Sequence, residues 1–361
     1  MKLFVDCHVF DGIPQGSRTY IEGIYKELIK RNPPNLTLYL GAFDIESLKQ
    51  VFGEHPNVVY VKYRSKNKII RLAIDIPKII RRYKIDYAHY QYMLPLRKCC
   101  KEIVTIHDVL FLDFPKYFSL KFRVLYNFLF RIAAHRAEIL LTVSKYSQEK
   151  ISQHYRVDPQ RIYITPNAVD TSFPAVADDA ETTKHDRFIL YVSRIEERKN
   201  HLGLVKAFVQ SNLWKKGVRL IMAGYVTQRV KKLDEYIASL PPQVASNIIF
   251  CTPDNQTREQ LFRGCDLFVY PSVAEGFGIP PLEAAMRLRP VLCSDTTAMQ
   301  DFSDLGFTMF DPSDTDCFAS LLLDCMQTQP SLEKRQEIAQ RIVQRYNWTI
   351  GADLLIELLH L

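Results

Sequence analysis

One stretch of this sequence, EGFGIPPLE at residues 275–283, carries two carboxylates separated by a glycine turn and a pair of prolines. The run before it, DLFVY at 266–270, is short, apolar and rich in aromatic and β-branched residues, which is typical of a buried strand. The run LEAAM at 282–286 predicts a helix, and proline suits the first turn of a helix. The stretch therefore predicts a strand, a glycine turn and a helix N-terminus, which directs backbone N–H groups at an anion.

The two carboxylates of this stretch are predicted to lie in different places. Glu275 falls in the turn, beside whatever the backbone N–H groups bind. Glu283 falls about one turn into the helix, where it can accept hydrogen bonds from paired hydroxyls such as those of a ribose. A solvated acid followed by a helix-stabilising acid is the alternative for any Glu-x7-Glu spacing, but the complete string is far more specific than the spacing.

The string closely resembles the donor-site motif of the retaining, nucleotide-sugar-dependent glycosyltransferases of family 4. The resemblance implies an α/β fold of the GT-B type, in which two Rossmann-like, doubly wound domains face a central cleft. It also implies that Gly276, Phe277, Gly278 and Glu283 bind the donor, and that Glu275 is a catalytic residue that positions the sugar.

Strand-like and helix-like runs alternate along the chain, which indicates βαβ units and parallel sheets. The predicted strands lie near 2–6, 36–41, 57–62, 86–90, 102–106 and 139–143 in the first half, and near 187–192, 218–223, 247–251, 266–270, 290–293 and 307–310 in the second. We predict an N-terminal acceptor-side domain at 1–170, a linker at 171–186 and a nucleotide-sugar donor domain at 187–345. The apolar residues at 346–361 resemble the closing helix of the family, which implies that they belong with the first domain.

Two basic residues, Arg194 and Lys199, follow the first predicted strand of the second domain. Basic side chains at the carboxyl end of a strand can bind a diphosphate. A solvated charged turn is the alternative for this run taken alone, but the family carries an Arg and a Lys at this spacing. The resemblance therefore implies that both bind the donor, and it leaves Arg198 as a solvent-facing neighbour.

No metal site is predicted, because the Asp-x-Asp motif at 314–316 lies where Asp314 or Asp316 would cap a helix. The eight cysteines include no pair with CxxC spacing, so neither a zinc site nor a disulfide framework is indicated. We expect no cofactor beyond the nucleotide-sugar co-substrate.

Two positions in the first domain, Gly16 and His107, also resemble family positions. Gly16 would let the donor approach the backbone closely, although Arg18 is spaced differently from the family arginine. His107 ends a predicted strand, where the family places a catalytic histidine beside the transferred sugar, and Asp108 would orient its ring. His89 ends the preceding strand and is a candidate on the acceptor side.

Two positions depart from the family pattern. Ala168 replaces the usual glycine of a Pro-Asn-Gly turn, so we expect this turn to avoid positive φ. Leu288 stands where the family has a glycine after the motif helix. Because a left-handed cap is costly for leucine, we expect the helix to end differently.

The composition is that of a globular protein, with 361 residues, 47% hydrophobic and 24% charged. No apolar run approaches the ~18 residues of a membrane helix, and the start lacks a signal-peptide layout, so we expect a cytoplasmic protein.

Residues 1–168 hold 27 Lys and Arg against 15 Asp and Glu. The excess is densest at 62–84, where isoleucines alternate with basic residues. This segment favours a peripheral contact with an anionic membrane face, while a solvated helix surface and a lipid-linked diphosphate acceptor remain alternatives.

The resemblance implies transfer of a sugar from a GDP- or UDP-sugar to a hydroxyl of a glycan or lipid-linked glycan, with no nucleic-acid partner. It favours bacterial surface polysaccharide assembly, O-antigen or capsule, with mannose as the first candidate. A nucleotide-sugar epimerase and a non-catalytic nucleotide-sugar-binding subunit are the alternatives. A nicotinamide dehydrogenase is disfavoured because Pro281 stands where the third glycine of its motif belongs.

Overall fold

The computed structural model describes residues 1–12, 15–169 and 187–361. The chain divides into two compact units, which we call the first unit (Met1–Ala168 with Tyr346–Leu361) and the second unit (Val169–Arg345). The linker predicted at 171–186 lies outside the described residues.

The first unit contains a seven-stranded parallel sheet with the strand order β3-β2-β1-β4-β5-β6-β7. The order reverses between β1 and β4, which is the switch point where doubly wound sheets bind ligands. The strands are β1 (Lys2–Asp6), β2 (Thr37–Ala42), β3 (Val58–Lys62), β4 (Tyr87–Gln91), β5 (Lys101–Thr105), β6 (Ile139–Thr142) and β7 (Ile162–Ile164). The sequence predicts all of these except β7.

The second unit contains a six-stranded parallel sheet with the order β10-β9-β8-β11-β12-β13. Its strands are β8 (Phe188–Val192), β9 (Arg219–Ala223), β10 (Ile248–Cys251), β11 (Leu267–Tyr270), β12 (Val291–Ser294) and β13 (Thr308–Phe310). Each coincides with a predicted strand. The predicted class, two Rossmann-like doubly wound α/β domains, is therefore confirmed.

Helices connect most pairs of successive strands, as parallel pairing favours, whereas β4 and β5 are joined by residues 92–100 without a helix. The helices are α1 (Gly16–Arg31), α2 (Ile45–Phe52), α3 (Lys68–Ile70), α4 (Ile76–Tyr83), α5 (Leu110–Asp113), α6 (Leu120–Arg136), α7 (Lys145–Tyr155), α8 (His201–Gln210), α9 (Lys231–Ala238), α10 (Pro242–Ala245), α11 (Asn255–Gly264), α12 (Ile279–Met286), α13 (Thr315–Gln327), α14 (Leu332–Arg345) and α15 (Trp348–Leu358). A π-helical turn at Arg71–Asp75 joins α3 to α4, and 3₁₀ segments include Glu197–Lys199 and Thr297–Leu305. Among the described residues, none of these helices is both long and apolar enough to cross a membrane.

The closing helix α15 packs against α1 within the first unit. The contact depends on Gly23, since a Cβ there would come within 2.1 Å of the Trp348 ring. Asn347 begins α15 by accepting a hydrogen bond from the Ile350 N–H at 3.1 Å. A residue larger than glycine at position 23 would therefore displace the helix that returns the chain to the first unit.

Candidate active site

The stretch at 275–283 forms the predicted strand, turn and helix. β11 ends at Tyr270, and α12 begins at Ile279 with Gly278 as its N-cap. Gly278 has a φ of 104°, which favours glycine, and a Cβ there would lie 3.3 Å from the Phe302 ring. Pro280 and Pro281 occupy the first turn of α12, where no intrahelical hydrogen bond is lost. The N-terminus of α12 therefore follows the carboxyl end of β11.

The end of α12 shows that one sequence expectation is wrong. Leu288 adopts a left-handed conformation with a φ of 57°. Its N–H donates to the Ala285 carbonyl at 2.9 Å, and the Arg289 N–H donates to the Ala284 carbonyl at 3.1 Å, which is the Schellman pattern. The Leu288 side chain is buried, so packing and these two hydrogen bonds offset a cost of about 1–2 kcal/mol.

Glu275 lies in a buried cluster of charges in the second unit. One carboxylate oxygen accepts hydrogen bonds from Lys199 Nζ at 2.5 Å and Tyr270 Oη at 3.0 Å. The other oxygen lies 3.2 Å from Arg198 Nη1, and the Glu275 N–H donates to Thr297 Oγ1 at 2.9 Å. Burial by itself raises the pKa of the Glu275 carboxyl, but the charges of Lys199 and Arg198 outweigh burial and lower this pKa to about 2. Glu275 is therefore ionised at neutral pH.

Arg198 is buried, which contradicts the predicted solvent-facing position. Its guanidinium donates to the Ala274 carbonyl and to Glu275, and it pairs with Glu196 at 2.6 Å. The cause is the 3₁₀ turn at Glu197–Lys199, in which successive side chains are about 120° apart. Arg198 and Lys199 consequently both point inward, whereas Glu197 is exposed.

The two predicted diphosphate-binding residues differ in exposure. The Lys199 side chain is buried, and burial lowers the pKa of its ammonium while the charge of Glu275 opposes this shift. Of the three ammonium donors, two are directed at Glu275 and at Tyr270 Oη, the latter at 3.5 Å. The Arg194 side chain is 36% exposed, with its guanidinium 3.9 Å from Glu196. Arg194 is therefore the more accessible of the two cations.

The remaining motif residues surround the start of α12. Glu283 is the fifth residue of the helix, its side chain is 22% exposed, and Arg258 lies 3.9 Å from its carboxylate. The Phe277 ring packs edge-to-face on Phe302, with 5.7 Å between ring centroids. Because this ring is buried, residue 277 can meet a ligand through its backbone. Gly276 completes the turn that precedes the Gly278 cap.

His107 is buried just beyond the carboxyl end of β5 in the first unit. Its Nε2 lies 2.5 Å from Gln91 Oε1, and its ring meets the Tyr20 ring at 5.0 Å and the Tyr92 ring at 5.1 Å. Burial lowers the pKa of His107 to about 3, so the ring is neutral at neutral pH and carries its proton on Nε2. The ring is oriented by Gln91 on the adjacent strand β4, and the role predicted for Asp108 stays a prediction.

His89 has no exposed surface, which contradicts the predicted position on the acceptor side. Its Nδ1 lies 2.6 Å from Tyr25 Oη, and its Nε2 lies 2.7 Å from Thr105 Oγ1. Burial lowers the pKa of His89 to about 3. Because both ring nitrogens already have partners in the core of the first unit, His89 is a structural residue.

Gly16 is the first residue of α1, which follows the β1 switch region. Among the described residues, a Cβ at this position would meet no atom within 4 Å, so packing against them does not require glycine. The donor contact expected at Gly16 stays a prediction. The backbone at Ala168 does not have positive φ, as predicted.

Asp314 caps α13, as predicted, and accepts a hydrogen bond from the Cys317 N–H at 2.9 Å. Asp316 accepts a hydrogen bond from Gln210 Nε2 at 2.6 Å. Both carboxylates of the Asp-x-Asp motif therefore have structural partners in the second unit.

Several residues that contact Glu275 or His107 were not predicted as site residues, among them Tyr270, Arg198, Thr297 and Gln91. Tyr270 and Gln91 each end a strand, so their position at the carboxyl edge of a sheet was a usable signal. Thr297 lies 22 residues beyond Glu275 and follows a separate strand, so no local pattern connects the two.

Two family models together match nearly the whole chain. The model described as Glycosyltransferase Family 4 matches residues 14–173, and the model described as Glycosyl transferases group 1 matches residues 175–345. The chain belongs to the family 4 glycosyltransferases. The predicted family and enzyme class are thereby confirmed.

Several named relatives of this glycosyltransferase act on bacterial glycans. It is 25% identical to the O-antigen chain mannosyltransferase RfbU of Salmonella typhimurium, over 67% of this chain and 65% of the relative. It is also 25% identical to the O-antigen chain mannosyltransferase B of Escherichia coli, over 86% of both chains. A third relative, from Campylobacter jejuni, is the N-acetylgalactosamine-N,N'-diacetylbacillosaminyl-diphospho-undecaprenol 4-alpha-N-acetylgalactosaminyltransferase, 23% identical over 60% of this chain and 64% of its own. The chain thus spans just under two thirds of the first and third relatives.

The fold of this glycosyltransferase is similar to that of Anabaena Alr3699/HepE, which has been solved in complex with UDP-glucose. The TM-score is 0.72 at 16% sequence identity, and the match covers 99% of both chains. At this identity the similarity establishes the fold alone.

Proposed function

We propose that this glycosyltransferase moves a hexose, with mannose as the first candidate, from a nucleoside diphosphate sugar to a hydroxyl of a lipid-linked glycan in O-antigen assembly. The names of the Salmonella and Escherichia relatives support mannose and the O-antigen. The name of the Campylobacter relative supports a glycan carried on a lipid diphosphate. Because the Anabaena protein was solved with UDP-glucose, UDP remains a candidate for the nucleotide of the donor, in addition to GDP.

The buried cluster around Glu275 is the observation that carries this proposal. It combines an ionised carboxylate with two cations, and it lies next to the N-terminus of α12. A departing nucleoside diphosphate develops negative charge that preorganised donors stabilise. We assign this stabilisation to the 276–278 backbone N–H groups, to Arg194 and to the remaining donor of Lys199.

In the proposed step, the bond between the anomeric carbon and the diphosphate oxygen breaks, and its electron pair leaves with the diphosphate. The acceptor oxygen bonds to the anomeric carbon, and its proton passes to the departing phosphate. Each oxygen of Glu275 can accept two hydrogen bonds, so a sugar hydroxyl can bind there without displacing Lys199. The neutral His107 ring is assigned a contact with the sugar, and Gly16 a contact with the donor.

The proposed transfer needs no metal, because cationic side chains and backbone N–H groups neutralise the diphosphate. We expect one hexose to be added from GDP-mannose to a lipid diphosphate-linked oligosaccharide in the presence of excess EDTA, as measured by mass spectrometry of the lipid product. An absolute requirement for Mn²⁺ or Mg²⁺ would show that the metal-free proposal is wrong. Conversion of the nucleotide sugar to an isomer without any acceptor would instead favour an epimerase.

The contributions of the diphosphate and of the nucleoside to donor binding can be measured separately. A ligand that binds only the folded state raises its melting temperature, so GDP, UDP and dTDP can be compared by thermal shift. Arg194→Ala is expected to weaken GDP binding about tenfold while leaving guanosine binding unchanged, because it removes a charged hydrogen bond to phosphate. Glu283→Ala is expected to weaken both ligands alike, since its proposed partner is the ribose.

Arg229→Ala is the matched control, because Arg229 is an exposed arginine of the second unit that pairs with Asp234. It should bind GDP as the unaltered protein does. A melting-temperature shift with UDP and none with GDP would contradict the mannose proposal, but not the proposed transfer. Equal loss of GDP and guanosine binding in Arg194→Ala would contradict the role proposed for Arg194.

The predicted membrane contact at 62–84 needs revision in its apolar part. Of the isoleucines in that segment, Ile69 and Ile74 are exposed, whereas Ile79 and Ile80 are buried. The basic residues of α4 therefore lie on a helix whose isoleucines face the core of the first unit. This segment retains its positive charge, and its exposed isoleucines lie in the part that precedes α4.

A further inference from the structure

Helix α6 carries a row of large apolar side chains on its outer surface. Val124, Leu125 and Phe128 are exposed by 64%, 54% and 64%, and Leu120 and Ile132 extend the row to both sides. Residues four apart lie on the same face of a helix, so this spacing produces a continuous stripe. We call these five residues the α6 face.

The α6 face is not needed to pack the helix into the first unit. The opposite side of α6 is buried through Phe130, Ala133 and Ala134. Between the two sides, Phe122 stacks on Tyr126 with 4.2 Å between ring centroids. The helix is therefore apolar on two sides, and one of them faces solvent. An exposed apolar surface of this kind is characteristic of an interaction site.

Basic residues surround the α6 face. Helix α6 contains Lys121, Arg123, Arg131 and Arg136 but no aspartate or glutamate. Lys68 Nζ lies 3.1 Å from Tyr126 Oη and 4.7 Å from the centre of the Tyr126 ring, which brings the basic segment at 62–84 against the helix.

Two further exposed apolar residues lie in segments that contact α6. Ile69, which follows Lys68, is 75% exposed. Arg136 Nη1, at the C-terminal end of α6, donates to the carbonyl of Leu96, whose side chain is also exposed. Exposed apolar side chains are therefore present in these neighbouring segments as well as on α6.

The acidic residues of these segments do not offset the positive charge at the surface. Asp75, the acid at 62–84, is buried and accepts a hydrogen bond from the Arg64 N–H. Glu102, near the C-terminal end of α6, is buried and accepts two hydrogen bonds from Arg136. The exposed part of α6 and of 62–84 is therefore basic and apolar.

We propose that the α6 face binds the surface of an anionic phospholipid bilayer, with α6 lying in the plane of the interface. Large apolar side chains can enter the boundary of the acyl chains while Lys and Arg reach the lipid phosphates. A second copy of this chain is disfavoured as the occupant, because a symmetric contact through α6 would place like charges opposite one another. The inference depends neither on the donor nor on the acceptor proposed above.

The proposal is tested by flotation of the full-length protein with vesicles of two parts phosphatidylcholine to one part phosphatidylglycerol. We expect binding at low salt, with at least a tenfold loss in Val124→Ser/Phe128→Ser because less apolar surface enters the interface. Lys121→Gln/Arg131→Gln should lose about 25-fold at low salt, at about fivefold per charge. Pure phosphatidylcholine vesicles should bind the unaltered protein much more weakly.

Phe250→Ser/Val343→Ser is the matched control, because both residues are partly exposed large apolar side chains of the second unit. This variant should bind vesicles as the unaltered protein does, and thermal unfolding establishes that each variant is folded. As a second measurement, the fluorescence of Phe128→Trp should be quenched by lipids brominated in their acyl chains, whereas Phe250→Trp should not respond.

Three outcomes would overturn the proposal. The first is the absence of binding to the anionic vesicles at low salt. The second is binding by Val124→Ser/Phe128→Ser as tight as that of the unaltered protein. The third is a dimer in analytical ultracentrifugation that dissociates in this variant, which would identify a second copy as the occupant.

Discussion

Replacement of Glu275 by glutamine is expected to reduce transfer by at least about 100-fold, because a small misplacement of groups at a reacting centre has an effect of this size. It is also expected to destabilise the second unit. Glutamine preserves the volume but removes the charge that neutralises Lys199 and Arg198, and an uncompensated buried charge costs about 3–5 kcal/mol. The initial rate with the nucleotide sugar and the midpoint of thermal unfolding measure the two effects on one preparation.

Glu259→Gln is the control that separates the loss of transfer rate from the loss of stability. Like Glu275→Gln, it removes a carboxylate that pairs with two basic side chains of the second unit. Glu259 lies 2.5 Å from Arg287 and 2.7 Å from Arg263, and it is not one of the residues proposed to bind the donor. This variant should unfold at a lower temperature but retain the rate. The proposed role of Glu275 is wrong if both variants transfer sugar equally fast at a temperature where both are folded.

Acidification from pH 7.5 to 5.5 is expected to destabilise the first unit by about 3 kcal/mol. Burial lowers the pKa of His89 and of His107 from 6.5 to about 3. Between pH 3 and pH 6.5 the two histidines bind protons in the unfolded chain but not in the folded unit. Their contribution to the free energy of unfolding is therefore complete above pH 6.5 and is lost as the pH falls. Each histidine contributes about 1.4 kcal/mol over this interval.

Denaturant unfolding at the two pH values measures this loss. Trp348 lies in the first unit and Trp214 in the second, so a Trp214→Phe background makes the fluorescence specific to the first unit. In that background His89→Gln should lose about half of the pH dependence, whereas the exposed control His360→Gln should retain all of it. An unchanged pH dependence in His89→Gln would mean that the folded unit accepts a proton at His89.

The order of strands and helices could be predicted because each depends on neighbouring residues. The strands are short apolar runs, and the α12 N-terminus follows from one glycine and two prolines. The strand β7 was missed although its three residues are β-branched or aromatic, which was a usable signal. The prediction for the end of α12 was wrong because it considered only the backbone preference of leucine, which disfavours a left-handed conformation. Burial of the Leu288 side chain and two backbone hydrogen bonds favour that conformation in the folded chain.

The sequence by itself determined the family, the two parallel sheets and the local shape of the 275–283 stretch, since these depend on residue types at fixed spacing. Only the tertiary structure decided which side chains meet. Arg198 turns inward through a 3₁₀ segment, Gln91 reaches His107 across paired strands, and the outer side of α6 stays uncovered. Periodicity shows which residues share a face of a helix or strand, but it cannot show what packs on that face. That depends on contacts between residues far apart in the chain, which form only when the sheets and helices assemble.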